Sequence, residues 1–321
     1  MWLDSLHGGS VTLQQLASAD RDRVNTTLDR ARTIVADPEA PEALRCAAAA
    51  LLFREPDKME SDRDLLASLL TPRTPAVVQQ AIVEQVAGRS DPALAMSLLS
   101  GWKSHAPSLR TQILSVVASR KEWLLALVDQ LENQSVSASE IDATLRERLL
   151  TTRDEQLRER LKKVLQVTAS ADRQQVLKAN QPVLKLTGDV ARGQALFGKK
   201  CTTCHKQGET GHAVGPNLAS LTTKSPESLL LAILDPSAAV EGKYLNYVAV
   251  TTAGRSLTGI LATETGSSIT LLAAEGKSES VLRDEIEELR STSKSLMPDG
   301  LEKDLSQQDI ADLIEFVRSL K

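Results

Sequence analysis

The sequence predicts a mainly α protein, with an array of short helical repeats followed by a second helical domain that carries a small antiparallel β module. Three observations predict this. Pro-led amphipathic segments recur at near-constant spacing through the first half. In the second half, a loop rich in Cys and His follows a short helix, and short β-branched runs separated by Gly turns come after it. Leu and Ala dominate while aromatic residues make up 2% of the chain, which favours a helical repeat core over a β-sandwich.

The repeats are read from "PEALRCAAAALL" at Pro41, "PAVVQQAIVEQV" at Pro75 and "PSLRTQILSVVA" at Pro107. Their spacings of 34 and 32 residues fall in the range of two-helix solenoid repeats. Each begins with Pro near the first helical turn, where the missing N–H costs nothing. Apolar residues then recur at helical spacing, as in Leu44, Ala47, Leu51 and in Val78, Ala81, Ile82. Residues 1–166 are therefore expected to be a HEAT-like α-solenoid, with an irregular helical bundle as the plainer alternative. Cys46, in the Ala-rich stretch of the first repeat, is expected to be a small core hydrophobe. His7 and His105, with no Cys, His or paired carboxylates nearby, are expected to be solvated surface residues.

Residues 167–187 are polar and lack a sustained apolar period, so they are expected to link the solenoid to a domain at 188–321. That domain opens with "GDVARGQALFGKK", a short helix with Asp189 in its first turn. "SPESLLLAILDP" is a second helix, with Ser225 as N-cap, Pro226 at N1 and Pro236 ending it. Between Tyr244 and Leu282 the runs "YLNYVAVTT", "RSLTGILATE", "SSITLLAA" and "ESVLRDE" predict about four strands, an insert at about 243–284. The C-terminal "LSQQDIADLIEFVRSLK" predicts a helix capped by Ser306, with Ile310, Leu313, Ile314 and Val317 on one stripe.

Composition narrows the function classes. A length of 321 residues suggests about two domains. The net charge of −4 argues against nucleic acid as a main partner, because phosphate binding needs a basic surface. No window approaches the ~18 apolar residues of a membrane span. The start, "MWLDSLHGGSVTLQQL", lacks the basic region and apolar core of a secretory signal.

The chemistry is concentrated in "GKKCTTCHKQGETGHAVGPNL", Gly198 to Leu218, which holds two of the three cysteines and two of the four histidines. Cys201, Cys204 and His205 form the C-x-x-C-H pattern of covalent c-type heme attachment. Two thiols three residues apart can add to the two vinyl groups of one heme, and the next imidazole then falls beneath the iron. The pattern needs companions, and the sequence supplies them. A distal ligand is expected from Met297, in the irregular loop "SKSLMPDG", since His212 lies too close in sequence to His205 to reach the opposite face. A ligating imidazole normally donates its second N–H to a carbonyl, and Pro216, 11 residues after His205, is placed for that role. Gly193 with Phe197, and the last helix with Phe316, fit a close crossing of the first and last helices of a class I c-type cytochrome. A structural zinc site would need a fourth ligand, and a thioredoxin-like dithiol would need a βαβ setting.

The run "ARGQALF…CTTCH…GHAVGPNL…KSPESLLLAILDPSAAVE…YLNYV…LTGILATET…ITLL…LRSTSKSLMPDGLEKDLSQQDIADLIEFVRSL" resembles the Planctomycete/Verrucomicrobium-type heme-binding domain, from about Val183 to Leu320. That family is a c-type cytochrome module with an insert between the heme and its distal Met. The resemblance implies one heme c held by Cys201 and Cys204, with His205 proximal and Met297 distal. Members of the family usually end large exported proteins that begin with a quinoprotein-like β-propeller. The chain has no such propeller, so it is expected to be an electron-transfer piece or mature form of a periplasmic or otherwise exported protein, and no enzyme on its own. Electrons would come from a dehydrogenase domain or partner and pass to a downstream cytochrome. Two rival readings remain: a solenoid-based interaction protein whose heme senses redox state or gas, and a peroxidase-like catalyst, which Met297 disfavours. Lys199, Lys200 and Lys206 are either a steering patch for an acidic redox partner or ordinary solvated surface. Tyr244, Tyr247 and Arg290 are candidates to meet a heme propionate.

Overall fold

A computed structural model describes residues 17–165, 171–238 and 240–321. His7 lies outside the described residues. The chain divides into two compact units, ending and starting at Ser100 and Gly101.

The first unit contains α1 (Ser18–Ala36), α2 (Glu42–Ala49), α3 (Met59–Leu69), α4 (Ala76–Ala87) and α5 (Ala93–Leu99). Pro41 and Pro75 stand immediately before α2 and α4, in extended backbone that starts each helix. Helices one repeat apart stack on each other, α2 on α4 and α3 on α5. Val78 and Ile82 are buried as the spacing expects. In α2 the period is right but the phase is shifted. Leu44 is 47% exposed and Ala47 is exposed, whereas Ala48, Ala49 and Leu52 are buried. The reason is Arg45, whose buried Nε donates to the Val35 carbonyl at 3.0 Å near the end of α1 and fixes the helix rotation. Cys46 is only half-buried, its thiol 3.6 Å from the Val77 carbonyl. Arg32 pairs with Asp62 and Glu55, each at 2.6 Å, tying α1 to α3 and to the turn before it.

The second unit begins with α6 (Pro107–Val117), α7 (Lys121–Glu132), α8 (Ala143–Leu150) and α9 (Glu155–Val164). His105, just before α6, is 2% exposed, and so departs from the expected surface position. Its burial, with Arg110 nearby, lowers its pKa to about 4, so it is neutral at pH 7. The surrounding cluster explains the burial. Trp102 Nε1 donates to Glu140 at 2.9 Å, Arg110 pairs with the same carboxylate, and the guanidinium lies 5.1 Å from the Trp102 ring and 5.4 Å from the Tyr247 ring.

Within the stretch expected to be a linker, α10 (Ala171–Asn180) is helical, and Val176, Leu177, Val183 and Leu184 pack on the following core. The apolar residues there are spaced irregularly because α10 is short and passes into a 3-10 turn at Gln181–Lys185. The remaining helices are α11 (Val190–Lys200), α12 (Pro226–Leu234) and α13 (Gln307–Ser319). Asp189, Ser225 and Ser306 cap them by accepting from the N–H three residues on. The α11–α13 crossing has the expected close approach. A Cβ on Gly193 would lie 2.1 Å from the Asp312 carbonyl oxygen, and the Phe197 and Phe316 rings meet at 5.3 Å, tilted by 50°.

The insert is larger than the sequence suggested. Five antiparallel strands run in the order β4-β3-β2-β1-β5: β1 (Leu245–Thr251), β2 (Ser256–Glu264), β3 (Ser268–Leu272), β4 (Ser278–Leu282) and β5 (Ile286–Ser295). On β1, Leu245, Tyr247 and Ala249 alternate into the sheet's core. The unpredicted β5, "IEELRSTSKS", is an edge strand whose few apolar residues, Ile286 and Leu289, give no period-two signal.

Candidate functional site

Helix α11 ends at Lys200, and the next four residues turn back on themselves. The N–H groups of Cys204 and His205 both donate to the Cys201 carbonyl, at 3.1 and 2.8 Å. A second layer of backbone bonds fixes the loop. Val214 and Gly215 donate to the Cys204 carbonyl at 3.0 and 2.7 Å, and His212 donates to that of Thr202 at 3.0 Å. The His205 ring lies against Gly215, where a Cβ would sit 2.6 Å from Cε1. Only glycine leaves room for the imidazole there.

His205 Nδ1 is 3.0 Å from the Pro216 carbonyl oxygen, as expected from the spacing. A carbonyl can only accept, so Nδ1 carries the proton and Nε2 keeps its lone pair. His205 is 9% exposed, and this burial lowers its pKa, the Pro216 carbonyl opposing it. A neutral imidazole with a free Nε2 is the form that ligates a metal.

Cys201, Cys204, His205, Pro216 and Met297 all line one cavity, which opens to solvent. Its walls are apolar and come from four places. Phe197 belongs to α11, Leu229 and Ile233 to α12, Leu313 and Val317 to α13, and Ile260 to β2. Burial raises both thiols, Cys201 to about 11 with Cys204 adding to the shift. A redox dithiol needs the opposite environment, one that lowers a thiol pKa. Among the described residues, no group of three or more Cys, His, Asp or Glu is placed to hold a metal, so the fourth ligand of a zinc site is missing.

Residues 190–321 match the family model of cytochrome c.

The match supports a c-type cytochrome module at these residues, with a heme-binding, electron-transfer role and covalently bound heme c. No curated protein matches the chain. Residues 190–321 fit the group on their own donor set: two thiols, an oriented imidazole and a thioether, in one apolar cavity. Among the described residues, no helix is long and apolar enough to cross a membrane.

The insert of the cytochrome c domain contributes to the cavity in ways the sequence did not reveal. Strand β5 runs directly into the Met297 loop. There the Met297 N–H donates to Ser295 Oγ at 3.1 Å, and the Ser295 N–H donates to Ser237 Oγ at 3.2 Å. The β3–β4 turn reaches the other side of the site, where the Glu275 N–H donates to the Thr203 carbonyl at 2.8 Å. Of the three propionate candidates, Tyr244 lines the cavity. Tyr247 is fully buried and donates to the His105 carbonyl at 3.2 Å, so it faces away from the cavity. Arg290 is exposed on β5 and pairs with Glu288 at 3.3 Å. His212 is exposed beside Gly276 and is not among the lining residues.

A polar keystone holds the helix crossing behind the cavity. Asp312, 1% exposed, accepts from the Asp189 N–H at 2.8 Å, from Arg192 at 2.6 and 3.0 Å, and from Gln308 at 2.9 Å. Arg192 leads in lowering its pKa to about 2. A lowered folded-state value stabilises the fold above the unfolded carboxyl value of about 3.9 and is lost as pH falls through about 2. Because Arg192 is itself 59% exposed, the contribution is discounted to about 1–2 kcal/mol. Asp312→Asn should lose that stability at pH 7 and show a flatter stability curve between pH 4 and pH 2 than the parent, measured by urea unfolding. Parallel curves for the two proteins would count against the assignment.

Proposed function

We propose that the chain is an electron-transfer module that carries one heme c through Cys201 and Cys204, with His205 and Met297 as axial ligands. The observation that carries this reading is the convergence of both thiols, the Pro216-oriented imidazole and Met297 on one apolar cavity. When bound, heme would supply one-electron chemistry, and His205 and Met297 would hold it so as to favour that over oxygen or peroxide chemistry. The chain's own residues do the remaining work. Pro216 fixes the tautomer of His205, Ser295 holds the backbone of Met297, and Ile260, Leu313 and Val317 exclude water. The apolar walls favour the less charged reduced state.

In this reading the donor is a dehydrogenase domain or partner and the acceptor a downstream cytochrome. Lys199 and Lys206, exposed beside the motif, would steer an acidic partner. The Planctomycete/Verrucomicrobium-type resemblance supports an exported, periplasmic setting. The stacking of α2 on α4 and α3 on α5 supports HEAT-like repeats in the first half. On the sequence pattern we propose domains at 1–166 and 188–321, whereas the compact units of the fold divide between Ser100 and Gly101.

The test is the Met297→Ala variant of the heme-loaded protein. Its midpoint potential should fall by a large margin, on the order of 100 mV or more, because a thioether ligand raises the potential. An unchanged potential and an unchanged low-spin spectrum would remove Met297 from the iron.

A further inference from the structure

Arg173, near the start of α10, reaches two backbone regions that bound the cavity. Its Nε donates to the Leu234 carbonyl at 2.7 Å, and its Nη2 donates to Glu302 at 2.7 Å. Leu234 is the last residue of α12, whose terminal carbonyls have no partner within the helix. Glu302 lies in the 3-10 turn Leu301–Lys303 that closes the loop begun by Met297, after Gly300 reverses the chain at φ +94. Both side chains of the ion pair are 13% exposed, which shelters the pair from solvent screening. Asp299 and Asp235 also act on the same guanidinium. One cation therefore ties the end of a cavity-wall helix to the far end of the distal loop. Without it, Asp235, Asp299 and Glu302 lose a shared counter-charge.

We infer that Arg173 is a positioning residue that holds the Met297 loop closed over the cavity, acting from a segment that precedes residues 190–321. The inference rests on Met297 being the distal ligand. Its physical content is a closing equilibrium. An outside ligand reaches the iron only when the loop is open, so its apparent affinity scales with the open fraction. A charge-assisted hydrogen bond is worth enough to shift that fraction by about tenfold.

The experiment titrates the heme-loaded full chain with imidazole and follows loss of the Met–iron absorption band in the ferric state, with thermal unfolding recorded in parallel. Arg173→Met and Glu302→Gln should each raise imidazole affinity about tenfold. The double variant should do no more than Arg173→Met alone, because that change already removes the bond to Glu302. Arg173→Lys should recover only part of the closure, since an ammonium cannot make both bonds in the same geometry. Imidazole affinity at the parent value in both Arg173→Met and Glu302→Gln, with only the melting temperature lowered, would reduce the pair to a structural role and overturn the inference. Met297→Ala separates the two ideas. If that variant keeps the band, Met297 is not the ligand and the inference falls with it. If it loses the band while the Arg173 and Glu302 variants bind imidazole as the parent does, only the role of Arg173 is lost.

Discussion

A Cys201→Ala, Cys204→Ala double variant should release its heme when the protein is denatured, whereas the parent chain should keep it. Both thiols line the cavity beside His205, and neither is committed to a disulfide. Burial keeps them protonated at neutral pH, which also protects them from oxidation before the group arrives. In the double variant only His205, Met297 and the apolar walls remain to hold the group, and all of these are lost on unfolding. Each single variant should retain one covalent link. Expressed in an exported form with cytochrome c maturation machinery, the parent should gain the mass of one heme, and the double variant should gain nothing. A parent chain that gains no mass under those conditions would remove the central reading. So would a double variant whose heme survives acid–organic extraction.

Gly193→Ala should be strongly destabilising despite adding only one methyl group. In an open helix the substitution would stabilise by about 1 kcal/mol through propensity. Here the new Cβ meets the Asp312 carbonyl oxygen at 2.1 Å and Phe316 Cβ at 2.8 Å. The first of these is backbone, so relief requires α11 and α13 to move apart. That would disturb the Phe197–Phe316 contact and the Asp312 network together. The expected cost is about 3 kcal/mol or more, seen as a lowered urea midpoint and a weaker grip on the group behind Phe197. An Ala variant as stable as the parent would mean that the helices are not so close.

Much of the site was legible because its parts are local or chemically unusual. The caps at Ser225 and Ser306 depend on residues three positions apart, and the structure has them as read, while the carbonyl of Pro216 lies 3.0 Å from His205 Nδ1, 11 residues back. Met297 stood out by elimination, and the structure brings it to the same cavity. The misses share a physical cause, which is that tertiary partners decided the outcome. His105 is buried because Tyr247, which is 142 residues away in sequence, caps its carbonyl. The phase of α2 turns on the single bond from Arg45 to Val35. Strand β5 exists because β1 offers it a ladder, and its own polar sequence carries no strand signal. Arg173 lies in a stretch whose composition resembled a linker, and its two partners are 61 and 129 residues further on.

The sheet has a consequence beyond filling space. It touches the Cys201–His205 loop through Glu275, leads through β5 into the Met297 loop, and is bolted by Tyr247 to the backbone just before α6. All three junctions hang on the same five strands. The backbone just before α6 therefore has a covalent and hydrogen-bonded connection to both loops of the cavity.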